Sequence, residues 1–219
     1  MPPGFAPMPS ASSANKKLPD WLRWSAFLWL LIWIPTYWHV WGPKNFLFLC
    51  DVAAGLTCVG LWTNNALLLS SQAVSSLLID LAWALDAGWR LVFGRHLIGG
   101  TQYLFDARFP LGVRLLSLFH LLLPFLLLWA LHRVGYDQRG WPLQSAIAIL
   151  LLVLSRIAAA PEKNINFAFT DPFFHRAWGP PPAHLAVTSL FLIFVVYFPT
   201  HLLLARLFRA PQNTPNPRV

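Results

Sequence analysis

The sequence predicts an all-α membrane bundle of about six transmembrane helices. Three observations carry that reading. Of the 219 residues, 57% are hydrophobic and only 11% are charged, whereas soluble domains carry about 25% charged residues. The apolar residues fall in blocks, and a block of about 20 residues crosses a bilayer as a helix. Tryptophans sit near the block ends, where an indole meets both hydrocarbon and water.

The elements follow in order. Residues 1–20 are rich in Pro, Ser and Ala, without a hydrophobic period, and read as a disordered N-terminal tail. Spans are expected at about 21–39, 46–62, 66–90, 111–131, 141–159 and 183–207, within a 21–208 transmembrane domain. Residues 209–219 read as a polar C-terminal tail. "TNN" at 63–65 and "HRVGYDQRG" at 132–140 are tight turns, so spans 2/3 and 4/5 are expected to be antiparallel hairpins. Pro35, Pro124 and Pro199 each remove a helical N–H and are expected to kink their spans.

We call the N-terminal side of the bilayer side A and the other side B. Trp21, Trp24, Trp62, Trp129 and Trp141 fall near side A; Trp38, Trp41, Trp89 and Trp178 fall near side B. Trp29, Trp33 and Trp83 lie deeper. The net charge of +8 is concentrated at block ends and connections, as snorkelling cations are. No soluble basic face exists for nucleic acid. Lys and Arg split evenly between the sides. The side-B arginines that lie inside spans or long connections count less, which favours a cytoplasmic side A in a bacterial inner membrane. The implied partners are the bilayer and a lipid or other amphiphile.

Side A holds short turns. Side B holds "PTYWHVWGPKN", "FGRHLIGGTQYLFDARFPLG" and "PEKNINFAFTDPFFHRAWGPPP", long aromatic segments of interfacial or re-entrant character. The intramembrane polar residues lean the same way: Asp51, Asp86, Arg90, Arg114, His120, Ser155, Arg156 and His184. A charge inside a span is costly and faces a protein interior or water. A polar pocket opening to side B is therefore expected. On helical spacing Gln72, Ser76, Trp83, Asp86 and Arg90 share a face, as do Ser117, His120 and Pro124.

Each candidate also has a structural reading. Asp86 and Arg90, four residues apart, can form an ion pair. Asp51 can pair with Arg114 or Arg156. His120 can be a hydrogen-bonded core histidine. Cys50 can be a small buried hydrophobe. Asn164 and Asn166 can cap the end of span 5. Cys50 and Cys58 are eight residues apart, about 12 Å along a helix, too far for a disulfide with each other.

The sequence contains no CxxC, no HExxH and no phosphate-binding glycine loop, and its histidines lack ligand spacing. No cofactor or metal is implied. One chemical constellation is coherent: Cys50 as nucleophile and His120 as base, with Asn164 or Asn166 donating to an oxyanion and Asp51, Asp86, Arg90 and Arg114 shaping the site.

Four stretches carry a resemblance. "NFLFLCDVAA" opens span 2, "FPLGVRLLSLFH" leads to the span 4 histidine, "NINFAF" follows span 5, and "WGPPP" precedes span 6. Over about residues 40–205 they resemble a family of six-span membrane proteins that includes an ether-phospholipid acyltransferase and bacterial inner-membrane relatives. The resemblance implies acyl transfer with Cys50 as nucleophile and His120 as its partner. The chain departs from the family pattern at Phe48, where a histidine is usual. The alternative is a non-enzymatic small transporter or an assembly subunit of a larger membrane complex.

Overall fold

The computed structural model describes residues 17–208, and within them the chain is all-helical. The helices are α1 (Asp20–Trp41), α2 (Leu49–Thr63), α3 (Ala66–Phe93), α4 (Leu111–Leu116), α5 (Phe119–Val134), α6 (Gly140–Ala158), α7 (Pro181–Phe191) and α8 (Phe198–Leu207). A π-helical turn, Leu192–Tyr197, joins α7 to α8. All six expected spans correspond to helical segments.

Four segments are long and apolar enough to cross a membrane: α3, α4–α5, α6 and α7–α8. α2 has 15 residues, fewer than the roughly 17–25 of a spanning helix. α1 has 22 residues, but six tryptophans, a tyrosine and a proline dilute its apolarity. The outward faces are nonetheless those of a membrane bundle. Leu122 (69% exposed), Phe125 (73%), Leu150 (59%) and Ile157 (76%) point away from the core. Soluble monomers rarely expose such an area of large apolar side chains.

The turns are built as their residues dictate. Asn64 takes the left-handed conformation (φ 55°) that ends α2, and Asn65 caps α3 by accepting from the Leu68 N–H. The Leu18 N–H donates to Asn64 Oδ1 at 3.0 Å, and Leu18 is buried. The folded domain therefore begins before residue 20, the expected end of the tail. The rest of that expectation, residues 1–16, and the C-terminal tail at 209–219 lie outside the described residues.

α3 is the axis of the bundle, packing against α2, α5, α6 and α8. Its fully buried Ser70, Leu69, Ala73 and Val74 admit close neighbours. Gly140 begins α6 directly against α3. A Cβ there would stand 2.8 Å from the Ser70 carbonyl carbon and the Ser71 nitrogen.

The prolines act unequally. α1 and α5 run through Pro35 and Pro124 without interruption, whereas the π turn immediately precedes Pro199, as a lost i→i−4 bond allows. Thr36 and Thr200, each following a proline, donate to the carbonyls of Ile32 and Val196, both at 2.6 Å. The chain does break at Ser117–Leu118, between α4 and α5.

Gly140→Ala is expected to destabilise the protein by about 1–3 kcal/mol through backbone overpacking. Gly88→Ala, with nothing within 4 Å of its Cβ position, is expected to be neutral or mildly stabilising. Thermal unfolding of the two variants in detergent checks the contrast.

Candidate functional site

The α4–α5 break sets the position of His120. Without a continuous helix, the Ser117 carbonyl is open to accept both the His120 backbone N–H (3.2 Å) and its ring Nδ1 (2.8 Å). A carbonyl only accepts, so Nδ1 carries the proton, and in the neutral ring Nε2 keeps its lone pair. The ring stacks on Trp83 (4.7 Å between centroids, 12° between planes) and on Phe119 (4.1 Å, 26°). This aromatic packing fixes where Nε2 points.

Trp83 extends the cluster toward side B. Its Nε1 donates to the Tyr103 hydroxyl at 3.1 Å. The Ser117 hydroxyl pairs with the Tyr37 hydroxyl at 2.7 Å. Tyr103 lies outside the spans, in a short helical turn, Gln102–Phe105. Burial pushes its phenol up to about 12; the hydrogen bonds of Ser117 and Trp83 oppose this, and the nearby Cys50 and Asp51 add to it. Tyr103 is therefore a neutral phenol at physiological pH, close to both residues at the start of α2.

Those two residues are held in a way the sequence did not announce. Phe48 is extended (φ −60°, ψ 135°) between the Pro43–Leu47 turn and α2. Asn166 binds this stretch: its Oδ1 accepts from the Leu49 N–H at 2.8 Å, and its Nδ2 donates to the Leu47 carbonyl (2.7 Å) and to Ser155 Oγ (3.0 Å). Cys50 follows as a half-buried free thiol in the first turn of α2. Asp51 accepts from Asn45 Nδ2 at 2.6 Å.

His120 thus stacks on Trp83, and Cys50 and Asp51 lie near Tyr103, the hydrogen-bond partner of Trp83. Among the described residues, Cys50 makes no hydrogen bond to His120. Nor does Asp51 pair with an arginine, because both candidates are engaged elsewhere. Arg114 Nη1 donates to the Leu104 carbonyl at 3.1 Å. Arg156 Nη1 donates to the Ala168 carbonyl at 3.2 Å, and the guanidinium lies 4.3 Å over the Phe169 ring.

The expected Asp86–Arg90 ion pair does not form. Asp86 instead collects the N–H groups of Leu97, Ile98, Gly99 and Thr101 (2.8, 2.6, 3.1 and 3.0 Å), the Thr101 hydroxyl, and His96 Nδ1 at 3.2 Å. Buried backbone N–H groups have no other acceptor there, whereas a long cation keeps its own solvation. Arg90 lies 5.9 Å over the Phe105 ring.

Asn164 is also committed. Its Nδ2 donates to the Thr170 carbonyl and hydroxyl, and its Oδ1 accepts from the N–H groups of Phe169 and Thr170. Neither asparagine of "NINFAF" keeps a free donor for an oxyanion, and neither caps the backbone end of α6, where the Ala159 N–H closes on the Ser155 carbonyl; Asn164 fastens its own loop and Asn166 the start of α2. His184 is similarly saturated, accepting from the Trp178 N–H at Nδ1 and donating from Nε2 to the Phe167 carbonyl.

The pocket expected to open to side B is thus a buried polar cluster under the 94–110 segment. Asp51, Asp86 and His120 are 4%, 1% and 6% exposed. A separate shallow groove between α6 and α7 is lined by Ile149, Val153, Leu185, Ala186, Ser189, Leu190 and Ile193 and contains none of these residues. Tyr37, Tyr103 and Ser117 were not anticipated as site residues. Ser117 shared a predicted face with His120, but nothing local linked Tyr103 to either.

Compared with protein-family models, with curated proteins and with solved structures, the chain matches none.

Asn166→Ala is expected to cost about 2–3 kcal/mol, since it leaves buried backbone groups at 47 and 49 unpaired; Asn164→Ala should unfasten only the 164–170 loop. Hydrogen exchange of the Leu49 and Thr170 amides distinguishes the two. A pH dependence follows from Asp171. Burial works to raise its carboxyl, but the N–H groups of Phe174, Phe173 and Arg176 outweigh it and hold the carboxyl below its ordinary value. A depressed folded value stabilises above the unfolded pKa, about 3.9, and that contribution is lost as pH falls further. Protection of the Phe173 and Phe174 amides, taken relative to their intrinsic exchange rates, should fall below about pH 4 in wild type, and should already be reduced at neutral pH in Asp171→Asn.

Proposed function

We propose that this chain is an integral membrane protein that takes the polar end of a lipid or other small amphiphile into the side-B cluster and transfers an acyl group through Cys50. The carrying observation is the fixed tautomer of His120, whose stacking partner Trp83 is hydrogen-bonded to Tyr103, a residue near the free thiol in the first turn of α2. A neutral imidazole is the usual base for a thiol nucleophile.

The chemistry balances as two displacements. His120 Nε2 takes the Cys50 proton. The thiolate attacks the ester carbonyl, forming a C–S bond; the C–O bond breaks, and the leaving alcohol receives the proton from His120. A second hydroxyl then gives its proton to Nε2, attacks the thioester and releases the thiolate. Closure of Cys50 on His120 accompanies substrate binding, since catalytic hydrogen bonds often tighten only in the complex. Tyr103, whose oxygen accepts from Trp83, retains a proton for the developing oxyanion, the role first expected of Asn164 or Asn166. The likeness to the six-span acyltransferase family belongs to this reading, as does a bacterial inner-membrane setting with side A cytoplasmic.

A second, non-enzymatic reading, an assembly subunit or small transporter, draws on the self-contained pairing of Asp86, Asn164 and Asn166.

Acyl transfer is tested with purified protein in nanodiscs, supplied with a diacyl phospholipid and a labelled lysophospholipid. Cys50→Ala is expected to abolish transfer and the covalent acyl adduct on the protein. His120→Gln is expected to lower the rate by about 10²–10⁴-fold in protein that remains folded by tryptophan fluorescence. Undiminished transfer by Cys50→Ala, or none by wild type across diacyl donors, sinks the enzymatic reading in favour of the second.

A further inference from the structure

The buried face of α3 carries Gln72, Ser76 and Asp80 at four-residue intervals, one stripe along the helix. They are 1%, 2% and 1% exposed. Gln72 Oε1, Ser76 Oγ and both carboxylate oxygens of Asp80 have no hydrogen-bond partner among the described residues. The facing helix adds a fourth such group, Thr57 Oγ1, 1% exposed. The hairpin register brings them together: the Gly60 Cβ position stands 3.0 Å from Leu69, and three residues back along α2 and three on along α3 bring Thr57 level with Gln72. The same register opposes Ser76 with Ala53, a small side chain, and brings Asp80 level with the first turn of α2.

The hydroxyls are unusual within this chain. Thr36, Thr63, Ser71, Ser145, Thr188 and Thr200 each donate to a carbonyl three or four residues back in their own helices. That is the default for a hydroxyl in a membrane helix. Ser76 and Thr57 make no such bond. The unpartnered atoms are also biased in kind. An amide oxygen and a carboxylate can only accept, and an ionised carboxylate buried without a counter-charge is strongly unfavourable. The Ser76 and Thr57 hydroxyls each offer one proton, too little to offset a full carboxylate charge, and no group of the chain pairs with Asp80 among the described residues; a bound cation would.

We propose that Asp80 binds a monovalent metal cation of the sodium class, with the Ser76 hydroxyl as a second oxygen and Gln72 and Thr57 further along the same buried face. One carboxylate neutralises one positive charge. An all-oxygen set suits a hard ion rather than a transition metal. This site does not depend on the acyl-transfer reading; it uses neither Cys50 nor His120.

The test is thermal unfolding of the full-length protein in detergent at pH 7.5, followed by tryptophan fluorescence, in NaCl, LiCl, KCl or choline chloride at equal ionic strength. In wild type, sodium is expected to raise the Tm saturably by several degrees over choline, because a ligand bound only to the folded state stabilises it. Asp80→Asn should abolish the dependence. Ser76→Ala should move its midpoint to higher sodium, by about tenfold. Equal Tm in sodium and choline for wild type, or a sodium effect retained in Asp80→Asn, overturns the site and leaves Asp80 a protonated carboxyl. Should Asp80→Asn not fold, equilibrium binding of radioactive sodium to wild type and Ser76→Ala decides: saturable binding weakened in Ser76→Ala supports the site, and its absence or indifference overturns it.

Discussion

Asp86 is the constraint on which the side-B end of the bundle depends. Its carboxylate collects the N–H groups of Leu97, Ile98, Gly99 and Thr101 together with the Thr101 hydroxyl and His96. The segment after α3 would otherwise leave those N–H groups bare at the membrane boundary, where each costs several kcal/mol, on the order of a lost hydrogen bond in hydrocarbon. Wrapped on Asp86, the chain turns back over the helices, and Gln102–Phe105 delivers Tyr103 to Trp83. A carboxylate at the end of a span thus acts as the acceptor of an irregular backbone, not as one half of an ion pair.

Asn166 performs the matching task on the opposite connection. Its φ of 55° turns the chain tightly, and its amide reads both an N–H and a C=O of the strand-like 47–49 stretch while touching Ser155. α2 is thereby tied to α6, and Cys50 is carried in the turn so fixed. The two polar clasps come from distant parts of the sequence, yet they hold the two walls between which Tyr37, Trp83, Tyr103, Ser117 and His120 meet. Polar residues whose own hydrogen bonds are complete can still govern chemistry, by fixing others that are not.

The helices were legible in the sequence because lipid imposes a length and a composition on a span, and hairpin turns such as Asn64-Asn65 carry their own backbone preferences. The one-sided gathering of polar residues was legible too: His120 stacks on Trp83, which binds Tyr103, and Cys50 and Asp51 lie near Tyr103. What was not legible is partnership. The spacing of Asp86 and Arg90 is a local signal, and it lost to backbone N–H groups 11 to 15 residues away, whose need for an acceptor depends on how the loop folds. Asn164 and Asn166 looked like spare donors for the same reason: a left-handed asparagine consumes its amide on nearby or facing backbone, and nothing in "NINFAF" states the second strand of that contact.

The contrast between satisfied and unsatisfied polar groups then separates scaffold from function more sharply than burial does. Asp86 and Asp80 are both 1% exposed on the same helix, six residues apart. One has a complete shell of donors and the other has none among the described residues. A membrane protein tolerates the first because it stabilises an irregular connection. The second has no such compensation among the described residues, and a carboxylate so placed calls for a positive charge, whether a proton or a metal ion. Ser76, one turn away, is also without the backbone bond that its counterparts make, so the two absences coincide on one face of α3. A cation bound as proposed would meet both at once, whereas a proton on Asp80 would answer only the first.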